Sequence, residues 1–274
     1  MLLDDNKERY PILISLHKSG STWINSFIHK RYRRIGLTPP PRNLYTEFFH
    51  NDYSGMTNVF EDKDTNYVFT EKTNEERIAL LEQLRTFGLE LNQKAHVPEI
   101  MPLWPWFKEF YKDYDILVCK RRNIFSHWIN MLFFFCIKKA TNGVTEIITP
   151  EQTTGIIPSK ISSDYDEDIL KSTIQQYKVQ FKFNAVWFRD FVHNIRFLND
   201  VVIKELDKPQ VIWLEDIDHA WLEKRFNVTV KKTVTPFKTI QIANYFKPKD
   251  MAIIKEKFEE RFYNEFQFFG YEYK

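Results

Sequence analysis

Four short apolar runs punctuate the chain, and each closes on polar residues. Pro11-Ile12-Leu13-Ile14-Ser15-Leu16 reads as a buried strand. Leu89-Glu90-Leu91-Asn92-Gln93-Lys94 alternates as a strand does and leads into Ala95-His96-Val97-Pro98. Ile116-Leu117-Val118-Cys119 is the clearest buried strand, followed at once by Lys120-Arg121-Arg122-Asn123. Val211-Ile212-Trp213-Leu214 is the fourth buried run and ends in Glu215-Asp216.

Helical periodicity fills the spaces between them. Ile24, Phe27, Ile28, Tyr32 and Ile35 recur at helical spacing, with Gly36 and Pro39-Pro40-Pro41 as stop signals. Thr73 to Arg85 predicts a helix capped by Thr73, with Glu75 and Glu76 in its first turn. Met101 to Tyr114 predicts a second, its start limited by Pro105, and a Phe-rich helix follows Asn123 to about Lys139. From Glu167 to Leu206 there is neither Gly nor Pro, and the apolar spacing predicts one long bent helix or two in series. Residues 219–227 and Lys249 to Phe268 complete the helices, while 37–70 and 229–246 read as irregular and 141–165 as an insertion. Strands alternating with helices imply an α/β fold: one domain over residues 1–274, its mostly parallel sheet covered on both faces. Ligands of such a sheet bind at the carboxyl ends of the strands.

Composition narrows the classes without choosing among them. A net charge of +2 makes no case for nucleic acid or a membrane surface. Aromatics reach 16% with 25 Phe against only 7 Gly, which suits a well-buried globular chain. Cys119 and Cys136 sit in apolar surroundings without a C-x-x-C, so buried free thiols are expected. Met1-Leu2-Leu3-Asp4-Asp5 lacks a signal peptide's basic start, and no apolar run approaches a membrane span, so a cytoplasmic protein is expected.

The chemistry concentrates in His17-Lys18-Ser19-Gly20-Ser21-Thr22-Trp23, between the first strand and the first helix. Strand, short polar turn and helix aim free backbone N–H groups and a helix dipole at an anion. Lys18 adds a point charge, and Ser19, Ser21 and Thr22 add hydroxyls. The plainer reading is a helix N-cap, which Ser and Thr favour anyway. The loop is not a Walker A sequence, because its Lys precedes its only Gly.

The order K-S-G-[ST]-T-W resembles the 5′-phosphosulfate loop of the sulfotransferases that use 3′-phosphoadenosine-5′-phosphosulfate (PAPS). His17 stands where the cytosolic members carry Pro, and Ser21 replaces a Thr. Lys94-Ala95-His96-Val97-Pro98 is similar to the family's K-x-H-x-P, whose His is the catalytic base. Arg122-Asn123 is similar to the start of its 3′-phosphate motif, which places a Ser eight residues after the Arg. Here the eighth residue is Asn130, with Ser126 and His127 as nearer alternatives. Leu214-Glu215-Asp216-Ile217 resembles the family's Y-E-D-L strand end, whereas its C-terminal R-K-G-x-x-G-D-W-K stretch is absent and Lys231, Lys232 and Lys238 are weak substitutes.

The resemblance implies a P-loop-like α/β fold, PAPS as co-substrate and 3′-phosphoadenosine-5′-phosphate (PAP) as product, with no metal. It implies His96, Lys18 and Lys94 as the catalytic residues. It further implies that Lys18, Ser19, Gly20, Ser21, Thr22 and Trp23 hold the phosphosulfate and adenine, and Arg122 and Asn130 the 3′-phosphate. A P-loop phosphotransferase is the leading alternative, with Glu215-Asp216 as its one candidate for Mg²⁺. A non-catalytic PAP-binding protein is another. The acceptor, a small molecule, glycan or tyrosyl group, is left open, and residues 37–60 and 142–165 are the expected acceptor-facing loops.

Overall fold

The computed structural model describes residues 10–34, 73–86, 93–141, 167–230 and 242–274. In chain order the main elements are β1 (Pro11–Ser15), α1 (Ser21–Arg34), α2 (Asn74–Thr86), β2 (Lys94–His96), α3 (Val97–Ile100), α4 (Trp104–Phe110), β3 (Asp115–Lys120), α5 (Ile124–Ala140), α6 (Glu167–Gln176), α7 (Ala185–Arg196), β4 (Gln210–Trp213), α8 (His219–Phe226) and α9 (Pro248–Glu265). Two compact units emerge. Of the described residues, those up to Arg121 and Asn194–Val230 form the first, and Arg122–His193 with the rest form the second. The loops 37–60 and 142–165, and Lys231, Lys232 and Lys238, lie outside the described residues.

The first unit holds the sheet. Its four strands run parallel in the order β2-β1-β3-β4, flanked by helices, so the protein is α/β. β1 sits inside with β2 on one side and β3 on the other. The chain therefore winds outward from β1 in both directions, which makes its carboxyl end the switch point where such sheets bind ligands. All five residues of β1 are buried, as expected of a strand covered on both faces. Paired residues of parallel strands share a face. Leu13, Ser15, Lys94, His96, Leu117 and Cys119 thus face one way, and Ile12, Ile14, Ala95, Val118 and Lys120 the other.

Two strands depart from expectation. Ala95 and His96 belong to β2 itself rather than following it, because Lys94–His96 pair with Leu13–Ser15 of β1; Leu89–Asn92 lie outside the described residues. β4 was expected to be buried; as the edge strand it leaves Val211 38% exposed.

The helices follow their local signals. Thr73 Oγ1 accepts from Glu76 N–H at 3.2 Å while Glu76 Oε2 accepts from Thr73 N–H at 2.9 Å, a reciprocal cap for α2. The Gly- and Pro-free stretch is two helices in series. Lys178, in the left-handed region at φ 49°, follows α6, and Asn184 Oδ1 caps α7 by accepting from Trp187 N–H at 3.0 Å. Beyond Arg196 the helix runs on as a π-helical segment, Phe197–Val202.

The second unit accounts for much of the phenylalanine. Phe188, Phe191, Phe258 and Phe266 pack with Phe125 and Trp128, all buried. Among the described residues no helix is long and apolar enough to cross a membrane.

Candidate functional site

The turn between β1 and α1 is tight and internally fastened. Lys18 has φ 61° and Gly20 φ 79°, two left-handed residues within three positions. Such turns build the backbone concavities that bind anions. Glycine suits position 20 because L side chains rarely adopt its φ, and a Cβ there would lie 2.6 Å from Leu214 Cδ1, just past β4, so that side chain would have to shift. Ser19 is fully buried, and its hydroxyl donates to Leu16 O at 2.6 Å. Gly20 O accepts from Trp23 N–H at 3.1 Å and starts α1, whose fourteen residues direct the positive end of their dipole at the loop. Trp23 is 6% exposed and packs edge-on against Phe27 at 6.2 Å, so in this form it serves the core.

Beside that turn, β2 delivers two polar side chains to the same face. Lys94 is 1% exposed and His96 3%, and alternation along the strand places both on one side. His96 Nδ1 lies 3.2 Å from Ser15 Oγ, its register partner on β1. The His17 ring packs against the His96 ring, centroids 4.1 Å apart and planes tilted 41°. Glu99, three residues beyond His96, accepts from His96 N–H through Oε2 at 3.2 Å and brings Oε1 to 4.0 Å from His17 Nε2. Lys18 thus follows the end of β1, and His96 ends the adjacent β2 with Lys94 two residues before it on the same face. Ser15 and Glu99 were not anticipated. The H-x-x-E spacing of His96 and Glu99 was the available signal, a capping pattern at a strand-to-helix junction.

At the end of β3, Lys120 faces away from Lys94 and His96. Its amine donates to Asn199 Oδ1 at 2.7 Å and lies 4.3 Å from the Trp213 ring centroid. Asn199 belongs to the π-helical segment, where its own amide donates to Ile195 O at 2.7 Å. Burial pushes the Lys120 amine down to about 8. Between that value and the ordinary lysine range the unfolded chain holds a proton that the native chain does not. Stability should therefore rise with pH across this window. Wild type should gain about 3 kcal/mol over Lys120→Met between pH 8 and 10.5, measured by denaturant unfolding. A constant difference across that range would contradict the assignment. Arg121 meets Glu215, Nε to Oε1 3.9 Å, and Cys119 is a buried free thiol whose Sγ lies 3.4 Å from Ser19 O.

Arg122 and Asn130 belong to the second unit. Arg122 Nε lies 3.9 Å from Glu272 Oε1, held there by main-chain bonds between the C-terminal segment and residues 122–124. Asn123 caps α5 through Oδ1 on Ser126 N–H at 2.9 Å. Asn130 donates to Ser126 O at 2.7 Å, which uses one of its two amide hydrogens. His127 is 1% exposed, its ring edge-on to Phe191 at 5.6 Å, a core position.

The geometry thus divides the sequence-derived set by unit. Lys18, Ser19, Gly20, Ser21, Thr22, Trp23, Lys94 and His96 belong to the first, Arg122 and Asn130 to the second. No family model matches the chain, nor does any curated protein or solved structure.

Proposed function

We propose that this chain transfers a sulfuryl group from PAPS to a hydroxyl or amine acceptor, on a P-loop-like sulfotransferase architecture. One observation carries the reading: the Lys18–Gly20 turn follows the carboxyl end of β1, and the adjacent β2 ends on buried His96 with buried Lys94 on the same face. Cations and main-chain donors suit the phosphosulfate, and a neutral imidazole suits the acceptor's proton.

In this reading His96 takes the proton from the acceptor as the acceptor's heteroatom attacks sulfur. The bond between sulfur and the 5′-phosphate oxygen breaks, and that oxygen leaves with the electron pair. Lys18 and the loop N–H groups meet the charge that develops there, and Lys94 meets the sulfuryl oxygens. Arg122 and Asn130 take the 3′-phosphate by resemblance, so their part is tested separately from the loop's. The phosphotransferase alternative is less well supported, since the loop Lys precedes its Gly and Glu215 already faces Arg121.

The test is transfer of labelled sulfate from PAPS to a panel of sugar, tyrosyl, phenol and lipid acceptors in excess chelator. Turnover should be the same with and without chelator. Sulfate transfer lost on chelation would overturn the metal-independent reading, and PAP binding without any transfer would mark a non-catalytic binder.

A further inference from the structure

We propose that Arg121 is an anion-binding residue of the Lys18–Gly20 turn, where it takes the phosphate oxygens at the 5′ end of the nucleotide while Glu215 holds its guanidinium in place. The inference rests on reading this site as a PAPS site, and adds a cation to which the sequence resemblance gives no role.

The sheet brings Arg121 to the turn. Ser15 and Cys119 are register partners on adjacent β1 and β3, so the segments that leave the two strands start side by side. β1 exits toward Lys18, and β3 exits directly into Arg121. Cys119 Sγ donates to Ser19 O at 3.4 Å, which ties the strand carrying Arg121 to the turn. Leu214, which a Cβ on Gly20 would meet at 2.6 Å, is followed at once by Glu215. Glu215 Oε1 in turn lies 3.9 Å from Arg121 Nε. Cys119 senses both charges of this pair: burial pushes its thiol up, Glu215 pushes it further and Arg121 draws it back. Cys119 and the Leu214-Glu215 step, both against the turn, therefore bracket the guanidinium.

The pair lacks what an anion would supply. At 3.9 Å the contact between Arg121 and Glu215 is an ion pair too long for a hydrogen bond. Arg121 Nε is buried and has no hydrogen-bond partner among the described residues. A guanidinium carries five donors, and taking it out of water without hydrogen bonds costs stability. A self-sufficient structural pair would close to hydrogen-bond distance. The side chain is 21% exposed, sheltered from most of the solvent yet open to a ligand. Phosphate oxygens at the turn would give these donors their acceptors, in the two-pronged geometry that suits a planar guanidinium. Glu215 restrains the side chain before the anion arrives, which lowers the ordering cost of binding. Arg121 thus joins Lys18 and the α1 dipole as positive potential at one end of the nucleotide.

The experiment separates the two ends of the nucleotide. Titration calorimetry of the full chain compares PAP, adenosine 5′-monophosphate and adenosine 3′-monophosphate on the wild type and on Arg121→Gln. The variant should lose about 10- to 150-fold in affinity for PAP and for the 5′-monophosphate, as expected of a charge-assisted contact. It should bind the 3′-monophosphate as the wild type does. Equal affinity of wild type and variant for the 5′-monophosphate overturns the proposal. A loss confined to PAP and the 3′-monophosphate overturns it too, because the guanidinium would then serve the 3′-phosphate. Should Arg121→Gln fail to fold, Arg121→Lys decides on the same ligands. It keeps the charge but not the fork, so the 5′-monophosphate should weaken several-fold, and an unchanged affinity overturns the proposal. Inorganic pyrophosphate separates this residue's role from the PAPS reading. A wild type that binds pyrophosphate with the same dependence on Arg121, but no nucleotide, would remove the PAPS reading and uphold Arg121 as the anion's ligand. A wild type that binds neither overturns both.

Discussion

His96→Ala should lower sulfuryl transfer from PAPS by about 10²–10⁴-fold, the usual contribution of a positioned base, while PAP affinity stays near that of the wild type. The separation follows from where the residue acts. A base that handles the acceptor's proton contributes to the transition state and little to nucleotide binding. His96 is also buried and fastened to Ser15, His17 and Glu99, so a purely structural role makes the opposite forecast. Its loss would then lower the melting temperature and leave activity per folded molecule near normal. Single-turnover rates beside melting curves separate the two outcomes, and a destabilised but fully active variant would overturn the assignment.

Lys18→Ala should behave differently and cut both turnover and PAP affinity. A preorganised donor facing developing charge contributes about 3–4 kcal/mol to the transition state, roughly 10²–10³ in rate. A charge-assisted contact to phosphate adds about 1.5–3 kcal/mol to ground-state binding. The backbone complicates the choice of control, because Lys18 has φ 61°, a conformation in which alanine is strained. Lys18→Gly removes the charge and favours that backbone conformation. Its activity should stay as low as that of Lys18→Ala while its stability recovers. Full activity in Lys18→Gly would mean that the residue shapes the turn and does not contact the phosphosulfate.

Legibility in the sequence followed the locality of the cause. β1, the loop and α1 were legible because an apolar run, a Gly at a forced left-handed turn and a 3.6-residue period are neighbours in the chain. The Thr73–Glu76 cap was legible for the same reason. Ala95 and His96 were not read as strand because they become strand only through pairing with β1, while Leu89–Asn92 lie outside the described residues. The hydrogen bond between Ser15 and His96 depends on that same register, so no local pattern announced it. Likewise, the π-helical segment that brings Asn199 to Lys120 has no composition signal within its six residues. The departure of Asn130 from the expected Ser was visible in sequence, but its bond to Ser126 O was not.

The central claim, that the site takes the product nucleotide of sulfuryl transfer, is tested most directly by ligand-dependent melting of the full chain. PAP at a hundredfold excess over its Kd should stabilise the fold by about 2.7 kcal/mol, which raises the melting temperature by several degrees. ATP with Mg²⁺ at the same concentration should do so weakly, because it lacks the 3′-phosphate that Arg122 is assigned to hold. Equal shifts with PAP and ATP–Mg²⁺, or none with PAP, would contradict the account.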